Sequence, residues 1–130
     1  MTGGSPKGSI WTSVELLHND GSPWCSLPGL PEGRWYHTQT GLEACGGVGG
    51  IPGATVHSTT YANCVRLQAG SWRRTHTLEE YRHGHSSWAS PAGTLLMGGN
   101  RDSVWGQRTE LLGANSFYSV KSFSLRYRTR

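Results

Sequence analysis

No stretch of this chain approaches the roughly 18 consecutive apolar residues of a membrane-spanning helix, so no such span is expected. There is no long run of Ala, Leu, Glu and Lys either, which argues against extended helix. Charged residues are few, 15% of the chain. The first residues, Met-Thr-Gly-Gly-Ser-Pro-Lys-Gly, carry no apolar signal-peptide region, so an exported precursor is not expected. No Asn-x-Ser/Thr site occurs. The three cysteines show no CxxC or Cys/His zinc spacing, so one disulfide plus a thiol and three buried thiols both remain open, and with them the compartment.

What the chain does have is glycine, 19 of its 130 residues, with 6 Pro and 6 Trp. That composition favours many short strands joined by glycine-rich turns, in one domain. The net charge of +4 rests on ten Arg and two Lys against eight acids. At the C-terminal end Lys121, Arg126, Arg128 and Arg130 alternate with Phe123, Leu125 and Tyr127, which reads as the solvated face of a strand rather than a nucleic-acid tail.

A repeat organises the rest. Arg82-His83-Gly84-His85-Ser86 leads through the turn Pro91-Ala92-Gly93 into Leu95-Leu96-Met97 and the pair Gly98-Gly99. Arg34-Trp35-Tyr36-His37-Thr38 leads likewise through Leu42 to Cys45 and Gly46-Gly47 over a shorter hairpin. Arg34, Arg82 and Arg130 are spaced by 48, a period to be read before any single residue. Ser9-Ile10-Trp11 to Val14-Glu15-Leu16-Leu17 is echoed by Ser103-Val104-Trp105 to Thr109-Glu110-Leu111-Leu112. Asn63 to Leu67 takes the same place in the middle unit. After each copy come a turn and an aromatic, Trp24, Trp72 and Phe123. Each unit thus predicts four antiparallel strands. The first starts at His37 or His85, the second ends in the glycine pair, and the fourth carries the aromatic. That is the sequence shape of a β-propeller blade.

The glycine pairs, Leu17 and Val65 seven residues before Trp24 and Trp72, and the run from Leu27 to His37 (Leu-Pro-x-Leu-Pro-x-x-Arg-x-x-His) resemble kelch repeats. The resemblance is to divergent kelch-like proteins of invertebrate animals and covers essentially the whole chain. Leu17 and Val65 stand where the family's third strand usually has Tyr. The resemblance implies an all-β fold of kelch-like propeller blades: a part-blade at 1–33, a blade at 34–81 and a blade at 82–130. A kelch ring has five to seven blades, so about two and a half cannot close alone. Partners are expected at the open edges, either other chains or the rest of a longer propeller.

The repeat also filters site candidates, because a residue recurring at one offset serves the blade. Arg34, His37, Arg82, His85 and Arg130 are expected to line the channel or hold turns. Gly46, Gly47, Gly98 and Gly99 are blade glycines, and Trp24, Trp72 and Phe123 blade aromatics. Glu15 and Glu110 recur in the same way. His83 occurs once, and as His-x-His with His85 would place both rings on one strand face, a weak metal candidate without a third ligand. Cys45 and Cys64 fall on neighbouring strands of one blade, where a bond between them is geometrically reasonable. It would make an extracellular setting natural. Cys25, in the preceding unit, is read as buried or free.

Gly46-Gly47-Val48-Gly49-Gly50 opens no nucleotide motif, since no Gly-Lys-Ser/Thr follows and position 52 is Pro; it reads as a long mobile loop. Ser86-Ser87 beside His85 is not a nucleophile elbow. Glu79-Glu80 reads as a solvated pair in a loop. With no catalytic, cofactor or metal set assembled, the expected function is a non-catalytic binding or scaffolding module for proteins or glycans. Its recognition loops would be Val48 to Ala62 and Asn100 to Gly106. The alternatives are a galactose-oxidase-like or glycan-processing kelch enzyme, to whose copper site His83 and His85 would bring only part of the ligands, and a self-assembling structural protein.

Overall fold

The computed structural model describes residues 2–4, 11–17, 19–50, 59–101, 104–105, 108–113 and 119–124, the last six, with 2, 4, 101, 104, 105 and 108, as backbone. The protein is all-β, with no helix among the described residues. Its first sheet has three antiparallel strands in the order β1 (Thr2–Gly4), β2 (Trp11–Leu16), β3 (Cys25–Leu27). An Asx turn, in which Asp20 Oδ1 accepts from the Ser22 N–H at 2.9 Å, and Gly21 at φ 77° reverse the chain between β2 and β3. The segment from Pro28 to Pro31 then runs on without regular structure to β4 (Gly33–Trp35).

The second unit is a four-stranded antiparallel meander: β5 (Thr38–Thr40) and β6 (Glu43–Cys45), then, after β7 (Val48–Gly50) and β8 (Thr59–Thr60), β9 (Asn63–Gln68) and β10 (Ser71–Thr77). β9 and β10 are joined by Ala69-Gly70, both at positive φ (48° and 78°), the two-residue turn whose twist matches a hairpin. The third unit repeats the plan with β11 (Ser86–Ser90), β12 (Gly93–Met97), β15 (Arg108–Gly113) and β16 (Ser119–Ser124). Between its inner and outer pairs lies a separate hairpin, β13 (Asn100–Arg101) with β14 (Val104–Trp105).

Two expectations change here. Val48 to Gly50 is not loop: β7 pairs with β4 and β8 into a small three-stranded sheet, so the glycine run is edge-to-edge backbone. The similarity of Trp11 to Trp105 does not carry into structure, because Trp11 heads the long strand β2 while Trp105 sits in the separate β13–β14 hairpin; Ser9, Ile10 and Ser103 lie outside the described residues. Residues 51–58, Gly106 and Arg126 to Arg130 lie outside the described residues, and of Phe123 only the backbone, in β16, is described.

The core lies between the sheets, sorted by strand alternation. From the second sheet, Ala44 and Val65 face the first, where they pack with Val14, Leu30, Leu27 and Trp72. Their neighbours Cys45 and Cys64 face the other way and pack with Leu78, Leu96, Leu112 and Ala62. Leu30 and Leu78, 48 apart, tie each unit to its exit strand in the same manner, through Leu30 N–H to Thr12 C=O and Leu78 N–H to Ala62 C=O, both at 2.8 Å. The first strands of successive units also lie side by side in one direction: Thr38 Oγ1 is 2.8 Å from His85 Nε2, and Thr40 Oγ1 donates to Ser87 Oγ at 3.0 Å.

The glycine pairs are what let the units come so close. The first glycine of each pair is left-handed: Gly3, Gly46 and Gly98 have φ of 58°, 63° and 68°. A Cβ on Gly46 would sit 2.5 Å from the Arg82 carbonyl oxygen and 2.7 Å from His85 Cε1 of the next unit. Gly3 stands against Arg34 O and His37 Cε1 in the same way. Only glycine satisfies both the conformation and the contact.

Candidate binding surface

The repeated arginines Arg34 and Arg82 are engaged within their own units. Arg34 is fully buried. Its Nη1 donates to Gly46 O at 3.0 Å and Asn63 O at 3.2 Å, and its Nη2 to Asn63 Oδ1 at 2.6 Å and Glu32 Oε2 at 2.8 Å. The guanidinium lies 4.4 Å from the Tyr61 ring centroid, a buried cation–π contact. Arg82 is equally buried and repeats the device: Nη1 donates to Gly98 O at 3.0 Å and Nη2 to Glu110 Oε2 at 2.7 Å. Each arginine fastens the end of the second strand to its own unit.

The histidines split. His85 is buried, and His37 half-buried. Burial, reinforced by the arginine of each unit, pulls both imidazoles down to about 4, so they are neutral at physiological pH. The His83–His85 pair is not on one strand face. His83 forms a single bridge to Asn100, and Gly84 at φ 62° breaks the extension between the two rings. The weak metal candidate therefore loses the geometry on which it rested.

Cys45 and Cys64 face each other across β6 and β9 and are joined by a disulfide, with their Cα atoms 4.1 Å apart. Cys25 keeps its thiol, which donates to the Leu16 carbonyl at 3.7 Å. Among the described residues, the metal-capable group found is Glu43, Cys45 and Cys64, and two of its three members are consumed by the disulfide.

Sequence reasoning missed a buried polar cluster around Glu43. Its carboxylate accepts from Thr75 Oγ1 at 2.7 Å and pairs with Arg66 at 3.0 Å and His76 Nδ1 at 3.4 Å. Burial alone would raise the Glu43 carboxyl, but His76, Thr75 and Arg66 together hold it below its ordinary value. His76 Nε2 lies 3.1 Å from the Gly113 carbonyl, which links the second unit to the third. Glu110 differs: burial dominates, and its carboxyl is raised despite Arg82. Glu15, at the equivalent place in β2, is exposed, so the recurrence of Glu15 and Glu110 does not bring a shared environment. Only the period of the repeat hinted at Glu110, and nothing in the sequence singled out Glu43 or His76. The Glu79-Glu80 loop is anchored too, as the Glu79 N–H donates to Glu110 Oε1 at 2.5 Å and Glu80 lies 3.6 Å from Arg82.

The aromatics do not share one role either. Trp72, half-buried, donates its indole N–H to Pro28 O of the preceding unit at 2.7 Å, whereas Trp24 is 51% exposed. The exposed aromatic that stands out is Tyr36, 59% exposed, at φ 54°, a conformation that costs a bulky residue energy. Its carbonyl accepts from the Gly84 N–H at 2.8 Å, which pins it at the joint between two units. Its ring stacks on Trp35 with centroids 4.2 Å apart and planes 26° off parallel, and His83 lies beyond at 6.5 Å and 25°. These three rings adjoin β4 and β13, the edges of the two small sheets built from the expected recognition segments. No family model and no curated protein matches the chain.

Proposed function

We propose that the chain is a non-catalytic, kelch-type binding or scaffolding module, built of propeller blades, that holds a protein segment or a glycan at the joint between two units where Tyr36, Trp35 and His83 meet. The observation that carries this reading is Tyr36: an exposed ring kept in a strained backbone conformation and backed by Trp35. Strain retained at an exposed aromatic is a mark of recognition surfaces, where a rigid flat ring supplies contact area at little entropic cost. The buried charges support the reading from the other side, since Arg34, Arg82, Glu43 and Glu110 are all engaged within the blades.

Binding to glycan and displayed-peptide arrays tests it. A hit should be lost on Tyr36→Ala, which keeps the Cβ and with it the backbone strain, while the unfolding curve stays within about 0.5 kcal/mol. Turnover of an alcohol or sugar by copper-loaded protein would overturn it in favour of the galactose-oxidase-like alternative.

A further inference from the structure

We propose that the face of the second sheet carrying the Cys45–Cys64 disulfide becomes a tetrahedral zinc site when that bond is reduced, with Cys45, Cys64, His76 and Glu43 as its ligands. The site is separate from the Tyr36 surface and does not depend on it. Cys45 and Cys64 are direct partners across β6 and β9, and Cys64 and His76 are direct partners across β9 and β10. Glu43 stands two residues before Cys45 on β6 and so shares its face. Three neighbouring strands thus present two sulfurs, an imidazole and a carboxylate together, all of them buried. The ligand atoms of Glu43, Cys45 and Cys64 lie within 4.8 Å of one another. His76 Nδ1 is 3.4 Å from Glu43 Oε2. Nitrogen and oxygen ligands of one tetrahedral zinc stand about 3.4 Å apart.

A disulfide packed on Leu78, Leu96 and Leu112 needs neither a buried carboxylate nor a buried imidazole beside it. The register of β10 shifts between Arg74 and His76, and this bulge lets the neighbours Thr75 and His76 both reach Glu43, which strict alternation forbids. His76 Nε2 lies 3.1 Å from the Gly113 carbonyl, which can only accept, so Nε2 carries the hydrogen and donates. In the neutral ring that turns the Nδ1 lone pair toward a carboxylate, and Nδ1 makes no hydrogen bond. Two acceptors facing each other require a cation between them. A backbone carbonyl on the far nitrogen is also the usual partner of a metal-ligating histidine. Thr75, Arg66 and His76 all approach Oε2 of Glu43, whereas Oε1, equally buried, makes no hydrogen bond and is the oxygen left for a metal. Two thiolates and a carboxylate around a zinc dication leave one negative charge, which Arg66 beside Glu43 balances. A dithiol reductant supplies the two electrons and two protons that turn the disulfide into two thiols, and is itself oxidised to a disulfide. Zinc then displaces both thiol protons to solvent as two Zn–S bonds form.

Zinc titration of the whole chain tests the proposal. Reduced with a dithiol and freed of it by gel filtration under argon, the protein should bind one zinc per chain, read by competition with a chromophoric chelator. The disulfide form should bind none. X-ray absorption at the zinc edge on the reduced wild type should show two sulfurs, one imidazole and one oxygen. His76→Gln and Glu43→Gln should each weaken binding roughly tenfold or more. Circular dichroism on the same samples reads folding, and where reduction unfolds the wild type, zinc should restore the native spectrum. Should a variant fail to fold, the coordination shell of the wild type decides alone. A reduced wild type that takes up no zinc overturns the proposal. So do zinc bound without the native spectrum, a shell lacking two sulfurs and an imidazole, and unchanged affinity in folded His76→Gln.

Discussion

Acidification should loosen this protein through two imidazoles well above the range where its carboxylates titrate. His37 and His85 are held at about 4 in the fold, by burial first and by Arg34 and Arg82 second, against an ordinary value of 6.5. A base with a depressed folded value binds its proton more readily when unfolded, so stability is full above pH 6.5 and drains away as pH falls toward 4. For one ring with these values, the loss between pH 8 and pH 5 is about 2 kcal/mol. His85 carries that figure, being buried; the share of half-buried His37 is smaller because solvent screens it. The carboxylates do not imitate this loss. Glu43 is held low, so its contribution fades only below the ordinary carboxylate range, and Glu110 is held high, so its protonation opposes the loss. Urea unfolding at pH 8 and pH 5, on wild type and His85→Gln, reads the difference directly. Gln can still bond Thr38 but does not titrate, so the variant should lose about 2 kcal/mol less on acidification than wild type does. An equal loss in wild type and in His37→Gln/His85→Gln would refute the reasoning.

Three further outcomes follow from the same contacts. Gly46→Ala meets both a strained φ and the Arg82 carbonyl, whereas Gly98→Ala meets only the φ, about 1–2 kcal/mol, so the first should melt well below the second. Reducing the Cys45–Cys64 bond, which closes a loop with sequence separation 19, should cost about 3 kcal/mol of chain entropy, read as a drop in the urea midpoint with and without reductant. Arg82→Met leaves Glu110 buried beside no cation and should destabilise by about 3–5 kcal/mol at neutral pH. Adding Glu110→Gln should recover part of that loss, and a double variant no more stable than Arg82→Met would count against the pair.

The sequence by itself determined the class and the plan. Glycine-rich, helix-poor composition leaves short strands as the remaining way to satisfy the backbone, and the 48-residue spacing of Arg34 and Arg82 places four of them per unit. It also put Cys45 and Cys64 on neighbouring strands of one unit, but their facing register was decided by the sheet, since β7 and β8 lie between β6 and β9. Strand alternation then sorts which residue of each neighbouring pair turns toward which sheet, and that is a local property. What covers a face is not local. Whether Glu15 and Glu110 are buried, or Trp24 and Trp72 clasp a neighbour, depends on the unit packed against each, and identical letters at identical offsets diverge for that reason. The backbone conformations followed the same logic: Gly84 separating His83 from His85, and Tyr36 held at positive φ by the Gly84 N–H, are set by contacts between units. The cluster of Glu43, Thr75, Arg66 and His76 was invisible for the most elementary reason. Its members sit on three strands up to 33 positions apart, and only sheet pairing brings one carboxylate within reach of all of them.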